Sequence, residues 1–265
     1  MITSISNTRI KEARKLQNRR QRQATGRLLL EGVRLISDAF QSGIVPHLLF
    51  FVPELMDATP QGAHLLAQVQ SAGVECLACT ETVFATLAET MTPQGVAAIV
   101  PLPQLPAPPQ PTFTLILDQV RDPGNAGTLL RSAEAAGVEL VLCGPETVDV
   151  FNDKVVRAGM GAHFRLPLRA CPDWPSVQSW LAPAQQLYVA QADATLAYDQ
   201  VDWRQPAALV VGGEATGASL AARTAAQPIA IPMQRQVESL NAAIAGAVIL
   251  FEAARQRRQT TLSLR

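Results

Sequence analysis

The chain has 265 residues, 48% of them hydrophobic and 17% charged, with a formal net charge of zero. This is the composition of a globular protein long enough for one large domain or two ordinary ones. It offers no run of about 18 uninterrupted apolar residues to cross a membrane. The opening Met1-Ile2-Thr3-Ser4-Ile5-Ser6-Asn7 also lacks the basic-then-apolar layout of a signal peptide, so a cytoplasmic protein is expected.

The neutral total hides an asymmetry. Residues 1–34 carry nine Lys or Arg against two Glu, a balance of +7 that the rest of the chain cancels. The segment reads as a polar helix over about residues 7–23, and Arg9, Lys11, Arg14, Arg19, Arg20, Arg22 and Arg27 are candidate nucleic-acid contacts, because clustered cations hold polyanions through phosphates. A solvated helix face is the alternative. Leu28–Ile36 then leads into a second helix, followed by alternating strand-like and helix-like pieces at His47–Val52, Gly62–Ala72, Val74–Leu77, Thr80–Glu89 and Gly95–Val100. Residues 1–100 therefore read as a small α/β domain. Cys76-Leu77-Ala78-Cys79 lies within it, but zinc needs about four ligands and no second pair follows; no metal is expected, and the four cysteines suit a reducing compartment.

Six prolines within residues 101–111 make a semi-rigid spacer that can be neither helix nor central strand. Beyond it, residues 112–265 alternate more clearly. Strands are expected at Phe113–Leu117, Leu140–Cys143, Phe164–Leu168, Leu187–Ala190, Ala208–Val211 and Ile229–Pro232, with helices between them and a last helix over about Ser239–Arg257. This alternation predicts an α/β fold with a mostly parallel sheet covered on both faces. Ligands bind such sheets beyond the carboxyl ends of the strands, where three polar or Gly-rich segments fall: Asp118–Gly127, Gly212–Gly217 and Met233–Asn241.

In the first of these, Asp122-Pro123-Gly124-Asn125 is a turn before a helix expected to open near Ala126, with Arg131 about one turn in and facing away from the sheet. In the second, Gly212-Gly213-Glu214 follows an apolar strand, so a ligand can approach the backbone. The glycines do not have the G-x-G-x-x-G spacing, which disfavours a dinucleotide-binding oxidoreductase; Glu214 is a helix-start acid or a polar site residue. In the third, Ser239 is placed to cap the last helix, whose Ala242–Phe251 stretch is apolar nearly all round and should be buried or packed against another subunit.

Together these segments resemble the three motifs of the SpoU-type RNA 2′-O-ribose methyltransferases of the SPOUT superfamily: residues 118–138, 209–217 and 229–252 in that order. Phe151–Ala162, with Arg157, is similar to the family's Arg-Ala-Ser-x-Gly segment. Asn7, Lys11, Leu16, Leu30-Glu31-Gly32 and Arg34 are similar to the ribosomal-protein-like substrate-binding domain often fused ahead. The resemblance implies a deep trefoil knot, bound S-adenosylmethionine, a homodimer and an RNA substrate, ribosomal RNA first. It implies cofactor contacts at Gly212, Gly213, Gly217, Ile231, Met233, Ser239 and Leu240, polar site residues Asn125, Arg131, Glu214, Ser239 and Asn241, and an RNA contact at Arg157. Two positions depart from the pattern: Gly159 stands where serine is common, and His163 where an aliphatic residue is common.

Methyl transfer to a ribose hydroxyl needs alignment above all, and placing the reacting atoms in line contributes up to about 7–11 kcal/mol. An arginine fork grips a phosphate better than lysine does, so Arg131 suits positioning of phosphate and ribose; with a pKa of about 12.5 or more, its use as general base is a separate reading. His163 is read as packing beside a strand rather than as a base. The alternatives within the class are a transfer-RNA enzyme or one whose methylation confers antibiotic resistance, and outside it a non-catalytic RNA-binding or ribosome-assembly protein.

Overall fold

In the computed structural model, which describes residues 1–234 and 239–262, the basic N-terminal segment is two helices rather than one. Helix α1 (Thr8–Lys15) ends before Asn18, whose side chain accepts from Arg20 N and starts α2 (Arg19–Thr25). An asparagine competes with helix propagation by capping the next turn, and that overrides the continuous pattern expected over 7–23. The chain divides into two units, Met1–Pro103 with Phe151–Asp153, and Gln104–Val150 with Lys154–Arg265.

In the first unit there follow β1 (Arg27–Glu31), α3 (Val33–Gln41), β2 (Leu48–Phe51), α4 (Pro53–Asp57), α5 (Pro60–Ser71), β3 (Cys76–Ala78), α6 (Glu81–Phe84) and β4 (Val96–Pro101). The expected helix over Thr80–Glu89 shrinks to the single turn of α6, capped by Thr80. The strands order β1-β4-β2-β3, with antiparallel β1–β4 and β4–β2 pairs and a parallel β2–β3 pair. Ile10, Ala13 and Leu16, one face of α1, bury against Leu48, Phe50, Phe84 and Leu87. Arg22 is buried, and its guanidinium donates to Leu16 O at 2.9 Å and Gln17 O at 2.7 Å. It satisfies carbonyls at the end of α1 that the helix itself leaves open. This corrects its reading as an RNA contact.

The second unit contains β5 (Phe113–Asp118), α7 (Pro123–Ala136), β6 (Leu140–Cys143), α8 (Asp153–Gly159), β7 (Leu168–Ala170), α9 (Trp174–Ser179), β8 (Gln186–Ala190), β9 (Ala207–Gly212), α10 (Leu220–Ala225), β10 (Gln227–Ile229) and α11 (Ala242–Leu262). Its six strands order β10-β8-β9-β5-β6-β7 and every pair is parallel. All residues of β5 and β9 are buried, as two-sided cover demands. Asp118 pairs with Gly212 at the carboxyl ends of these strands, so the loops that follow emerge side by side.

Several expected boundaries move. Residues 162–164 form a 3-10 turn and the strand there is Leu168–Ala170, not Phe164–Leu168. The last strand is Gln227–Ile229 rather than Ile229–Pro232. Helix α7 begins at Pro123 under an Asp122 cap, which places Arg131 two turns in. Helix α11 begins at Ala242, not Ser239, and Asn241 is its cap: Asn241 Oδ1 accepts from Ala243 N at 3.0 Å and Ile244 N at 3.1 Å. The third polar segment is described only in part, because residues 235–238 lie outside the described residues. At Gly246 a Cβ would stand 2.4 Å from Leu129 Cδ2 and 3.2 Å from Val211 Cγ2, so α11 lies so close to α7 and β9 that a larger residue would push the Leu129 side chain aside. Arg257 fastens the other end of α11, donating to Trp203 O and Thr112 O at 2.8 Å, with its guanidinium 4.6 Å from the Phe113 ring.

The two departures from the family pattern explain each other. His163 is buried in the 3-10 turn, with Nε2 donating to Val150 O at 2.7 Å. A Cβ at position 159 would come within 2.8 Å of His163 Cε1, so a serine there would press on this buried ring. Burial lowers the His163 pKa from 6.5 to about 4, which removes it as a base. Because the unfolded chain takes up the proton nearer 6.5, the resulting stability is whole above that pH and lost as pH falls toward 4. Denaturant titrations across this window are expected to show a steeper acid loss in the wild type than in His163→Leu. Gly159→Ser is expected to cost about 1–3 kcal/mol with His163 present and clearly less with His163→Val, the two changes coupling as neighbours do.

Candidate active site

The loop after β9 folds back on itself. Gly213 N donates to Gly217 O and Gly217 N to Gly213 O, at 3.2 and 2.9 Å. A side chain at Gly213 would meet Gln119 O at 2.4 Å, so this turn presses against the loop after β5. Asp118, fully buried, fixes the exit of the turn by accepting from Ser219 N at 2.5 Å, and Trp174 Nε1 donates to Ser219 Oγ at 2.9 Å.

Beside this turn lies a cavity of about 220 Å3. Its walls include Gly212, Gly213, Gly217, Ile231, Met233, Ser239 and Leu240, drawn from the loop after β9, the chain after β10 and the approach to α11. Val189–Ala192 close the side at the end of β8. Most of the lining is aliphatic; the side chains that break it are Gln191, Ser239, the carboxylate of Glu214 and the guanidinium of Arg223. That donor set fits a ligand with an apolar body and charges of both signs, as S-adenosylmethionine is.

A second cleft of about 190 Å3 adjoins the first and shares Gly213, Glu214 and Ala242 with it. Three of the residues named from the sequence meet at the shared wall. Asn241 Nδ2 donates both to Asn125 Oδ1, at 3.0 Å, and to Glu214 Oε1. The capping bonds orient the Asn241 amide, since its oxygen must face the helix N–H groups and its nitrogen the other two side chains. Asn125 N in turn donates to Asp122 Oδ1 at 2.7 Å. Glu214 is therefore a member of this cluster and not a helix-start acid, since α10 begins only at Leu220. Ser239 lines the cavity without joining the cluster. Arg131 stands exposed on α7, outside both linings, with no ion pair or hydrogen bond to the described residues.

Sequence reasoning passed over several residues that line the cavity and the cleft or stand behind them. Gln119 and Glu146 both adopt left-handed backbone, with φ of 60° and 58°, an arrangement that costs about 1–3 kcal/mol and collects at functional sites. Gln119 Nε2 donates to Glu146 Oε1 at 3.3 Å, and Arg121 pairs with the same carboxylate. Gln191 and Arg223 left no signal, because their positions depend on packing after β8 and in α10. Asp118 did leave one, an acid closing the apolar run Phe113–Leu117.

A parallel sheet with its cavity beyond the strand ends and a carboxamide–carboxylate cluster at the cavity wall defines an α/β protein with its ligand site where open parallel sheets carry one. Residues 112–251 match the SpoU rRNA methylase family, and residues 7–98 match the MRM3-like substrate-binding domain. The chain belongs to the SpoU family. It is 32% identical to the 23S rRNA (guanosine(2553)-2′-O)-methyltransferase RlmP of Bacillus subtilis, over 94% of this chain and 97% of that one. It is 33% identical to the human mitochondrial rRNA methyltransferase 3, over 89% of this chain and 69% of that protein. Among solved structures, the AdoMet complex of the SpoU methyltransferase AviRb from Streptomyces viridochromogenes superposes with a TM-score of 0.83 at 30% identity, covering 96% of this chain and all of that one. An AdoMet-bound rRNA methyltransferase from Sinorhizobium meliloti gives 0.81 at 31% identity, covering 96% and 97%.

Asn241→Asp separates the two roles of this residue. The carboxylate still caps α11 but faces Glu214 with a second negative charge and offers no N–H. Thermal stability is expected to change by only a few degrees, for about 1 kcal/mol, while methyl transfer falls at least tenfold.

Proposed function

We propose that the chain methylates a ribose 2′-hydroxyl in ribosomal RNA with S-adenosylmethionine as donor. In this reading residues 1–100 bind the RNA substrate, 101–111 are a spacer and 112–265 carry the reaction. The observation that carries it is the Asn125–Asn241–Glu214 cluster on the wall shared by an aliphatic, two-signed cavity and an open polar cleft. The names of the RlmP and methyltransferase 3 relatives support ribosomal RNA.

Gly212, Gly213, Gly217, Ile231, Met233, Ser239 and Leu240 would hold S-adenosylmethionine, a sulfonium methyl donor. Bound there, the cofactor would supply the methyl group, and the residues of the shared wall would align the ribose oxygen with it. Glu214 places negative charge beside the cavity and is held there by Asn241. Arg131, exposed and uncommitted, grips the phosphate next to the target ribose and orients the hydroxyl. Arg9, Lys11, Arg14, Arg19, Arg20, Arg27 and Arg157 hold RNA elsewhere; Arg22 does not, being tied to α1.

The cytoplasmic setting, the trefoil knot and the homodimer belong to the same proposal. Ile244 and Phe251 lie one heptad apart on α11 and are 54% and 45% exposed, an apolar stripe that a second subunit would cover. Phe251→Glu is expected to shift a dimer to monomer in sedimentation.

Calorimetry with S-adenosylmethionine tests the reading, since a protein that does not bind it is only an RNA-binding module. Arg131→Lys keeps the charge but loses the fork; turnover is expected to fall about 100-fold with cofactor affinity unchanged. Near-wild-type turnover would remove Arg131 from the mechanism.

A further inference from the structure

Three loops of the second unit are tied together beside the polar cleft. The loop after β5 is laid against the loop after β6: Gln119 N donates to Pro145 O at 3.2 Å, and Val148 N to Val120 O at 2.9 Å. Beside these bonds each loop turns left-handed once, at Gln119 and at Glu146. The loop after β9 joins them, since Thr216 Oγ1 donates to Gln119 Oε1 at 3.3 Å. Side chains close the set. Gln119 Nε2 donates to Glu146 Oε1 at 3.3 Å, and the other oxygen of that carboxylate accepts from Nη2 of Arg121. Gln119 and Arg121 line the cleft, and Glu146 is outside its lining.

Stability does not account for this arrangement. The Arg121–Glu146 pair is exposed on both sides, at 62% and 55%, and such a pair contributes little. Left-handed backbone at two residues that carry side chains costs more than the pair returns, and glycine would relax both positions. What the two side chains do secure is the place of one guanidinium. Glu146 occupies a single nitrogen of it, and Nε and Nη1 of Arg121 make no bond to the described residues. A guanidinium presents five N–H groups in a planar fork, so donors remain for a phosphate. Arg121 is the cation among the described residues that line the cleft, beside the acids Asp122 and Glu214. Both acids are engaged, Asp122 by Asn125 N and Glu214 by Asn241.

We infer that Arg121 is a further contact for the substrate strand, taking a backbone phosphate of the RNA at the polar cleft, and that Gln119 and Glu146 are positioning residues that hold its guanidinium there. The inference rests on the RNA-methyltransferase reading and adds a second phosphate contact to the one assigned to Arg131.

Filter binding of ribosomal RNA and steady-state methyl transfer, both with the full-length protein, test it. Arg121→Ala is expected to weaken RNA binding about tenfold, to raise KM for RNA more than it lowers kcat, and to reduce the slope of log K against log salt by about one. Arg204→Ala breaks another exposed ion pair, with Asp202, away from the cavity and the cleft, and is expected to stay within about twofold of wild type. Gln119→Gly and Glu146→Gly each remove a side chain while easing the backbone; the melting temperature is expected to hold or rise while KM for RNA rises severalfold. Glu146→Gly on top of Arg121→Ala is expected to add nothing, because Glu146 acts through Arg121. RNA binding by Arg121→Ala that matches Arg204→Ala would overturn the inference. So would losses that add in the double variant, or a lower melting temperature for Glu146→Gly with KM unchanged, the behaviour of a structural staple. The methyltransferase reading is scored on the wild type: if it transfers no methyl group to ribosomal RNA that reading fails, while the binding comparison of Arg121→Ala with Arg204→Ala still decides the phosphate contact.

Discussion

The side-chain amide of Asn241 joins segments of chain more than a hundred residues apart. Its oxygen closes the start of α11, and its nitrogen binds Glu214 in the loop after β9 and Asn125 at the start of α7. Those loops lie within reach because β5 and β9 are neighbours in register, with Asp118 beside Gly212. The close approach of α11 is helped by Gly246, where a Cβ would displace the Leu129 side chain. Remove the amide of Asn241 and the carboxylate of Glu214 loses its support. The cavity wall and the polar cleft are thus two faces of one packing arrangement.

Much of this was legible in the sequence. The apolar runs Phe113–Leu117 and Ala208–Val211 are buried parallel strands, and three polar segments at strand ends were recognisable from turn residues and glycines. Ser239 and Asn241 are both good caps two residues apart, and local propensity does not choose between them. Tertiary structure does, because only Asn241 has a second polar atom to offer Glu214 and Asn125. Arg22 misled for a related reason: a buried arginine that closes a helix end looks, in sequence, like any member of a basic run. The 162–168 segment has the apolar residues of a strand, but Met160 and Gly161 turn left-handed, with φ of 47° and 83°, and His163 takes a core position.

The zero net charge is also resolved by position. The excess of cations in residues 1–34 is not spread evenly over a helix face: α1 and α2 turn at Asn18, Arg22 goes inward, Arg9 pairs with Glu75, and Lys15 and Arg27 line a cleft with Glu12 and His47. In the other unit some of the charges are paired, as Arg121 is with Glu146 and Arg165 with Glu134. Arg131, exposed and with its side chain unpaired among the described residues, is the one that the proposed reaction uses.

The central claim is that the cluster around Asn241 serves methylation of a ribose hydroxyl in ribosomal RNA. Mapping 2′-O-methyl groups across total RNA from cells with and without the gene tests it most directly. The account predicts that a discrete methylation in ribosomal RNA disappears without the gene and returns with the wild-type chain but not with Arg131→Ala. An unchanged map, or restoration by Arg131→Ala, would contradict it.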